Sequence, residues 1–515
     1  MRLFIAALCL AASLPGQSGA QFRDLATPAM PGKPKLACSE LRSLTSYNLS
    51  VIGAQAIAAS ADTPEHCRVS ILVPPEINIE VNLPAAWNGR LYMFGNGGFA
   101  GEAFEAPNRV ASRARGLRSG FATAATDTGH SAATEPGASF AVNRQKLVDF
   151  GFRSLHATVE TAKSLVKTYY GGDPSKSYYD GCSQGGRQGL IFAQRFPADF
   201  DGILVGAPGL DNTGTMLARA YWMQAITAAP IPSSKLKLLA DRIYDHCDAK
   251  DGLKDGLIDD PRKCDFQPAR DLPKCSAGAD SGDCFTQAQI ATLERIYGDV
   301  KSQGKRLFPG WPVGPEIAGP NGQSGWIGQA VSGPNGPGTW MSYANNFLRF
   351  LSPPPGKEPE DPLSRFDIDR DPARVAVLRQ ILDATDTDLS VFQRRGGKMV
   401  MYFGWADPQL NPMMGVDYYE KVVEKMGPGT ADFFRLYMVP GMFHCGGGVG
   451  PNVFDAATPV VKWVESGTAP NQLVASRLVD NKPVRTRPLC VYPQVARYKG
   501  SGSIDDAGSF TCRLP

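Results

Sequence analysis

One stretch of this chain has residue types and spacing that prescribe a reaction: Gly181-Cys182-Ser183-Gln184-Gly185-Gly186, preceded by Ser177-Tyr178-Tyr179. It fits G-x-S-x-G, in which a serine occupies a strained strand-to-helix turn and is thrust out as a nucleophile. The chemistry explains the glycines. The serine backbone is forced into an unfavourable conformation, and Gly181 and Gly185 leave room for strand and helix to pass closely. The Ser183 hydroxyl then meets a carbonyl carbon, while the Gln184 N–H points toward the oxyanion that forms. A helix-like segment, 187–196, and a second apolar run, Gly202 to Ala207, complete a strand–turn–helix–strand context. In a chain with 55 glycines the bland alternative is a chance match, and that context argues against it.

A serine nucleophile needs a base and an acid to orient the base. The run Gly397 to Gly404 reads as a strand that ends in Trp405-Ala406-Asp407, and Phe433 to Val439 as another that ends in Pro440-Gly441-Met442-Phe443-His444-Cys445. Asp407 and His444 therefore stand just past strand ends, and Ser183, Asp407, His444 is the chain order of α/β-hydrolases. Of the five histidines, His66 and His246 sit beside cysteines in loop-like regions and His156 lies in an amphipathic helix; these read as structural. His130 follows a strand and is a secondary candidate for lining the site. The loop Gly95-Asn96-Gly97-Gly98-Phe99-Ala100-Gly101 follows an early strand, where this architecture supplies its other oxyanion N–H, so Gly97 and Gly98 join Gln184 as candidates. The loop's spacing matches neither a P-loop nor a dinucleotide fingerprint, and no motif calls for an organic cofactor.

The elements that must position these residues alternate. Residues 38–84 read as β-rich, Arg90 to Phe94 and Phe121 to Thr126 as buried strands, and 153–170 as an amphipathic helix feeding the Ser183 strand. Strands alternating with helices predict an α/β fold: an α/β-hydrolase core with a mainly parallel sheet and helices on its faces. Between about 210 and 395 the pattern changes to Pro, Gly, Asp and Trp, with periodic segments only near 235–246 and 286–298. The expected organisation is a signal peptide at 1–20, the first part of the core at 21–209, an inserted lid domain at 210–395 and the second part of the core at 396–515. The insertion holds Trp222, Trp311, Trp326 and Trp340, four of the seven tryptophans. Most of these are expected to form the lid's own core, with one or two available to line a pocket.

Arg2, the apolar stretch Leu3 to Leu14 and Ser18-Gly19-Ala20 predict an export signal cleaved after Ala20, hence a secreted or periplasmic protein. No later run is long and apolar enough to span a membrane. The net charge is +3 with charges interspersed, so neither nucleic acid nor an anionic membrane is an expected partner. Of the 11 cysteines, Cys9 falls in the leader. The remaining even set in an exported chain reads as a disulfide framework whose connectivity sequence alone does not fix. Proximity suggests local pairs and leaves Cys182 and Cys445, which flank the nucleophile and the histidine, for each other; two buried free thiols are the alternative. There is no C-x-x-C for zinc or thioredoxin-like chemistry. The loop from Cys247 to Asp259 concentrates carboxylates and glycines without EF-hand spacing, and reads equally as a solvated acidic turn or a metal site.

Together, Cys182-Ser183, Asp407 and His444-Cys445 resemble the linked CS-D-HC pattern of the tannase and feruloyl esterase family. The resemblance extends over the Gly95–Gly101 loop, GCSQGG, the Asp-rich loop, GGKMVMYFGWADP, VPGMFHCGGG and TRPLCVYPQVARYKGSGS. It implies disulfides Cys38–Cys67, Cys182–Cys445, Cys247–Cys264, Cys275–Cys284 and Cys490–Cys512. It also implies a structural Ca²⁺ held by Asp248, Asp251, Asp255 and the carbonyls of Leu253 and Leu257. The implied activity is serine esterase action, through an acyl-enzyme, on a small aromatic ester: feruloyl and related hydroxycinnamoyl esters first, galloyl esters next, mono(2-hydroxyethyl) terephthalate third. Two departures set the third behind. Members acting on it hold its carboxylate with a lid arginine, absent from Ser332-Gly333-Pro334-Asn335-Gly336-Pro337-Gly338, and carry phenylalanine where this chain has Leu410. The competing readings are a peptidase on the same scaffold and a non-catalytic binding protein, which would have no need of nucleophile, acid, base and oxyanion glycines together.

Overall fold

The computed structural model describes residues 32–320, 325–334, 336–352 and 361–515, together with residues 22, 25 and 323. The expected export signal lies outside the described residues. Nine strands form one sheet: β1 (Ser50–Ile57), β2 (His66–Val73), β3 (Ile77–Pro84), β4 (Arg90–Phe94), β5 (Ala122–Thr126), β6 (Lys176–Cys182), β7 (Gly202–Gly206), β8 (Lys398–Gly404) and β9 (Phe434–Val439), in the order β1-β2-β3-β5-β4-β6-β7-β8-β9. The first three strands and the β3–β5 pairing are antiparallel. From β5 through β4, β6, β7 and β8 to β9 every pairing is parallel. This is the expected mainly parallel α/β sheet.

The central strands are continuous apolar runs because both faces are covered. Successive side chains alternate between two cores. Ile203, Val205, Met399, Met401 and Phe403 enter one, while Leu204, Val400, Tyr402 and Tyr437 enter the other with Val460, Val461 and Trp463. The first core is covered by the helices Ser154–Tyr170 and Gln184–Arg195. β7 and β8 are hydrogen-bonded neighbours although the insertion separates them in sequence. The segment between them thus begins and ends beside the strand ends that lead to Ser183 and Asp407.

The segment between β7 and β8 holds more regular structure than expected, including the helices Thr339–Asn346 and Ala376–Leu382. It opens with a 17-residue helix, Asn212–Ala228, capped by Asp211, whose carboxylate accepts the Gly214 N–H at 2.9 Å. Periodicity does not reveal it because it is buried on most sides, from Thr213 to Ile226, and so lacks a polar face. The four insertion tryptophans are all buried, with Trp311 stacked on Trp340 at 4.4 Å and Trp222 within 5.4 Å of both. All five implied disulfides are formed.

Candidate active site

Ser183 stands at the end of β6 with φ +64° and ψ −121°, a backbone region that costs a non-glycine residue on the order of 1–3 kcal/mol and marks functional turns. The strain is held by hydrogen bonds and close packing. Its N–H donates to the Gly206 carbonyl at 2.9 Å and its carbonyl accepts the Gly209 N–H at 3.2 Å. A Cβ on Gly181 would lie 2.6 Å from the Gly185 backbone, and one on Gly206 would lie 2.4 Å from Tyr402 Oη. The turn therefore admits no side chain at either position. Arg187, buried one turn into the following helix, fixes that helix to the rest of the core by donating to the Phe150, Gly151 and Leu382 carbonyls.

Asp407 and His444 are brought together as expected. His444 Nδ1 lies 2.8 Å from Asp407 Oδ2. The other carboxylate oxygen accepts the N–H groups of Gln409 at 2.8 Å and Leu410 at 3.0 Å, and the side chain is fully buried. Two tryptophans brace this acid loop: Trp311 Nε1 donates to the Asp407 carbonyl at 3.2 Å and Trp340 Nε1 to the Pro408 carbonyl at 2.9 Å. None of the insertion tryptophans borders the clefts at Ser183; they hold the loop that holds the histidine. The Cys182–Cys445 disulfide joins the residue before the serine to the residue after the histidine, Cα–Cα 6.0 Å.

The glycine loop folds over the serine, held by an ion pair between the buried Arg109 and the partly exposed Glu102. Glu102 accepts the Gly97 N–H at 3.2 Å and pairs with Arg109 at 3.3 Å. Arg109 also donates to the Thr126 carbonyl at 2.9 Å. The Gly97 N–H is therefore committed to Glu102. Gly98, at φ +50°, keeps an N–H without a protein acceptor among the described residues, as does Gln184 at the first position of its helix. The loop's oxyanion candidate narrows to Gly98.

Ser183 separates two clefts. One, of about 250 Å³, is lined by Asn96, Asn108, Ser112, Asp180 and His444 and is polar. Burial raises the Asp180 carboxyl above the usual range against the opposing pull of Arg115. The other is bounded by Phe99, Met216, Leu410 and Arg219. Tyr343, on the helix Thr339–Asn346, and Gln409 border both. Arg219 and Tyr343 were not legible as site residues: each lies in the insertion, far in sequence from every motif. His130 stands aside from both clefts, stacked on Phe140 at 3.9 Å, and burial holds its pKa down. His156 and His246 pair with Asp199 and Asp265, and His66 with the Pro64 carbonyl, in structural roles.

In the acidic loop, Asp248 accepts the N–H groups of Asp255 and Gly256 at 3.1 Å, and Asp251 accepts that of Leu253 at 2.9 Å. Arginines from the C-terminal strands clasp it: Arg487 pairs with Asp255, Arg485 donates to the Asp255 carbonyl at 2.9 Å, and Arg497 to the Asp251 carbonyl at 3.0 Å. No three acidic, histidine or cysteine side chains form a ready metal cluster among the described residues. Asp251 and Asp259 face one small cleft, which Lys250, Lys263 and Arg497 also line; the carboxylate and carbonyl oxygens of the loop are the donor type that a hard cation takes.

The family model described as "Tannase and feruloyl esterase" matches residues 64–513. The chain belongs to the tannase and feruloyl esterase family. Among its relatives are the mono(2-hydroxyethyl) terephthalate hydrolase of Piscinibacter sakaiensis, 35% identical over 90% of this chain and 87% of that one, and a probable feruloyl esterase B-2 of Aspergillus terreus, 32% identical over 90% and 89%. The crystal structure of feruloyl esterase B from Aspergillus oryzae superposes with a TM-score of 0.80 at 27% identity, covering 92% of this chain and 99% of that one. Tannin acyl hydrolase from Aspergillus niger shares the fold, with a TM-score of 0.72 at 21% identity over 95% and 97%. Membership of the tannase and feruloyl esterase family makes the protein a carboxylic ester hydrolase.

Proposed function

We propose that the protein is an exported serine esterase acting on aromatic carboxylic esters through an acyl-enzyme. The observation that carries the reading is a buried carboxylate 2.8 Å from a histidine that shares a cleft with a strained elbow serine. Ser183 Oγ attacks the ester carbonyl and His444 takes its proton. Asp407 holds the imidazole with Nδ1–H toward the carboxylate, which leaves Nε2 free to accept. The Gln184 and Gly98 N–H groups receive the oxyanion. His444 then returns the proton to the departing alcohol, and water releases the acid by the reverse sequence. The apolar walls Phe99, Met216 and Leu410 suit an aromatic acyl group, and the polar cleft suits the alcohol. Homology to proteins named feruloyl esterase and mono(2-hydroxyethyl) terephthalate hydrolase supports the aromatic class.

The test is labelling by a fluorophosphonate probe together with kcat/KM on methyl ferulate and methyl gallate, each with Ser183→Ala alongside. Hydrolysis and labelling that both vanish in the variant support the reading. A wild-type protein that is unlabelled and inert returns the chain to the non-catalytic alternative. The acidic loop is further proposed to take Ca²⁺ through Asp248, Asp251, Asp255 and the Leu253 and Leu257 carbonyls. Bound there, the ion would compensate the charge of these carboxylates and so stabilise the loop. The five disulfides support export.

A further inference from the structure

The two N–H groups assigned to the oxyanion come from different elements, so their spacing depends on whatever ties those elements together. Gln184 opens the helix after Ser183, and Gly98 lies in the loop after β4. Gln188 stands one turn further along that helix and is fully buried. Its Oε1 accepts the Asn96 N–H at 3.1 Å and its Nε2 donates to Asn96 Oδ1 at 3.2 Å, so Asn96 is held through backbone and side chain at once. The surroundings fix the amide orientations. Asn96 Nδ2 donates to the Thr126 carbonyl at 2.9 Å and to Glu102 at 3.3 Å, both acceptors, which leaves Oδ1 facing Gln188. Tyr179 Oη, 3.0 Å from Gln188 Oε1 and 2.8 Å from the Gly185 carbonyl, completes the group. Loop and elbow also touch directly: a Cβ on Gly95 would lie 2.6 Å from Gly185 Cα and 2.3 Å from Tyr179 Oη.

We propose that Gln188 is a positioning residue for ester hydrolysis: by clamping Asn96 it sets the Gly98 N–H at the distance from the Gln184 N–H that the oxyanion requires. Gln188 lines neither cleft at Ser183, so it acts through the loop and not on the substrate. An oxyanion hole lowers the barrier only when its donors are already in place, because donors that must move spend part of the gain on reorganisation. A glycine-rich loop does not secure that by itself, since glycine populates many backbone conformations. Glu102 and the Thr126 carbonyl hold the loop from one side. Gln188 ties it to the nucleophile's own helix, so that both oxyanion donors and Ser183 share one rigid frame. A leucine there would leave the Asn96 N–H and Oδ1 without these partners in a buried place, and the loop would shift to satisfy them. This inference rests on the serine-esterase reading.

The experiment measures hydrolysis of methyl ferulate and methyl gallate, and inhibition by phenylboronic acid, for wild type, Gln188→Leu and Gln188→Glu. Ser183 Oγ adds to boron and leaves a tetrahedral oxygen where the oxyanion forms, so affinity for the boronic acid reports on the hole. Gln188→Leu is expected to lose about 10- to 100-fold in kcat with KM within about threefold, the scale of a donor displaced by ~1 Å. Boronic acid inhibition should weaken in step with kcat/KM, while the pH midpoint of kcat/KM, set by His444, stays at its wild-type value. Gln188→Glu separates the clamp from mere bulk. Its protonated carboxyl donates to Asn96 Oδ1 as the amide does, and its carboxylate does not. Burial raises the pKa of such a carboxyl, so turnover relative to wild type should rise as pH falls from about 9 to 5. Unchanged kcat in Gln188→Leu, a loss that spares boronic acid inhibition, or a shifted pH midpoint would make Gln188 a packing residue only and overturn the proposal. Should Gln188→Leu fail to fold, Gln188→Glu decides, because a ratio to wild type that does not change with pH refutes the clamp. Wild-type hydrolysis tests the esterase reading separately: if wild type hydrolyses neither ester, that reading falls and the role of Gln188 falls with it.

Discussion

Replacing Asp407 with asparagine puts the proposed general base to its most direct test. The carboxylate is engaged on both sides: Oδ1 accepts two backbone N–H groups, from Gln409 and Leu410, and Oδ2 faces His444 Nδ1 at 2.8 Å. Asparagine has one oxygen and one NH₂. Two fixed N–H donors hold the oxygen on the loop side, because the reverse orientation would set a donor against two donors in a fully buried place. The NH₂ then faces the imidazole, whose Nδ1 must become an acceptor and whose Nε2 carries the proton. A histidine in that tautomer cannot take the proton from Ser183. The expected loss in kcat is about 10⁴, or about 5 kcal/mol of transition-state stabilisation, with KM little changed because no substrate contact is removed. Steady-state kinetics on a soluble aromatic ester, with circular dichroism to verify folding, measures it. A folded Asp407→Asn variant that retained more than a tenth of wild-type kcat would refute the tautomer argument.

Four further expectations follow from the same geometry. The Cys182–Cys445 bond closes a sequence separation of 263, for which chain-entropy reasoning gives at most about 5 kcal/mol, so the double alanine variant should show a lower denaturation midpoint and weakened turnover; an unchanged midpoint would contradict it. Trp340→Phe removes the indole donor to the Pro408 carbonyl and leaves a buried acceptor unmet, at about 1–3 kcal/mol in chemical denaturation, with kcat falling as the acid loop loosens. Glu316 is buried with its carboxyl raised to about 7 by burial, so the folded state binds the proton more tightly than the unfolded chain does. Its contribution is full below the unfolded value and is lost as pH rises from about 4.5 toward 7; Glu316→Gln, whose amide can bond both Gly314 N–H and Tyr297 Oη, should flatten that part of the stability profile. Chelation with EGTA should lower Tm in wild type and leave Asp251→Asn unmoved, whereas an unaffected wild-type Tm would argue against Ca²⁺.

The sheet and the positions of the candidate triad were legible because both leave local signatures. The runs at 90–94, 122–126, 202–206 and 398–404 are continuous apolar strands that end in the loops carrying chemistry. Ser183, Asp407 and His444 each belong to a short motif with a mechanical reason for its glycines. The Asn212–Ala228 helix left no such trace, because a helix buried on most sides has no polar face to set a period. Arg219 was hidden with it. The insertion tryptophans were legible as core residues, but their indole N–H groups, directed at the carbonyls of residues 407 and 408, depend on a tertiary approach that composition does not encode. The choice between Gly97 and Gly98 likewise turned on Glu102, whose side chain reaches back to the loop.

The covalent link between the nucleophile strand and the histidine loop also bears on how such a chain can diversify. The insertion leaves the sheet after β7 and re-enters at β8, and those two strands are already hydrogen-bonded neighbours. With Cys182 tied to Cys445, the serine and the histidine keep one covalent connection that does not pass through the insertion. Lengthening the excursion adds closure entropy only logarithmically, about 0.6 kcal/mol for each doubling. Segments that do not carry the Trp311 and Trp340 donors to the acid loop can therefore be gained, lost or rewritten between the two strands with Ser183 and His444 held in register. In this architecture substrate choice can drift while the hydrolytic machinery is inherited intact.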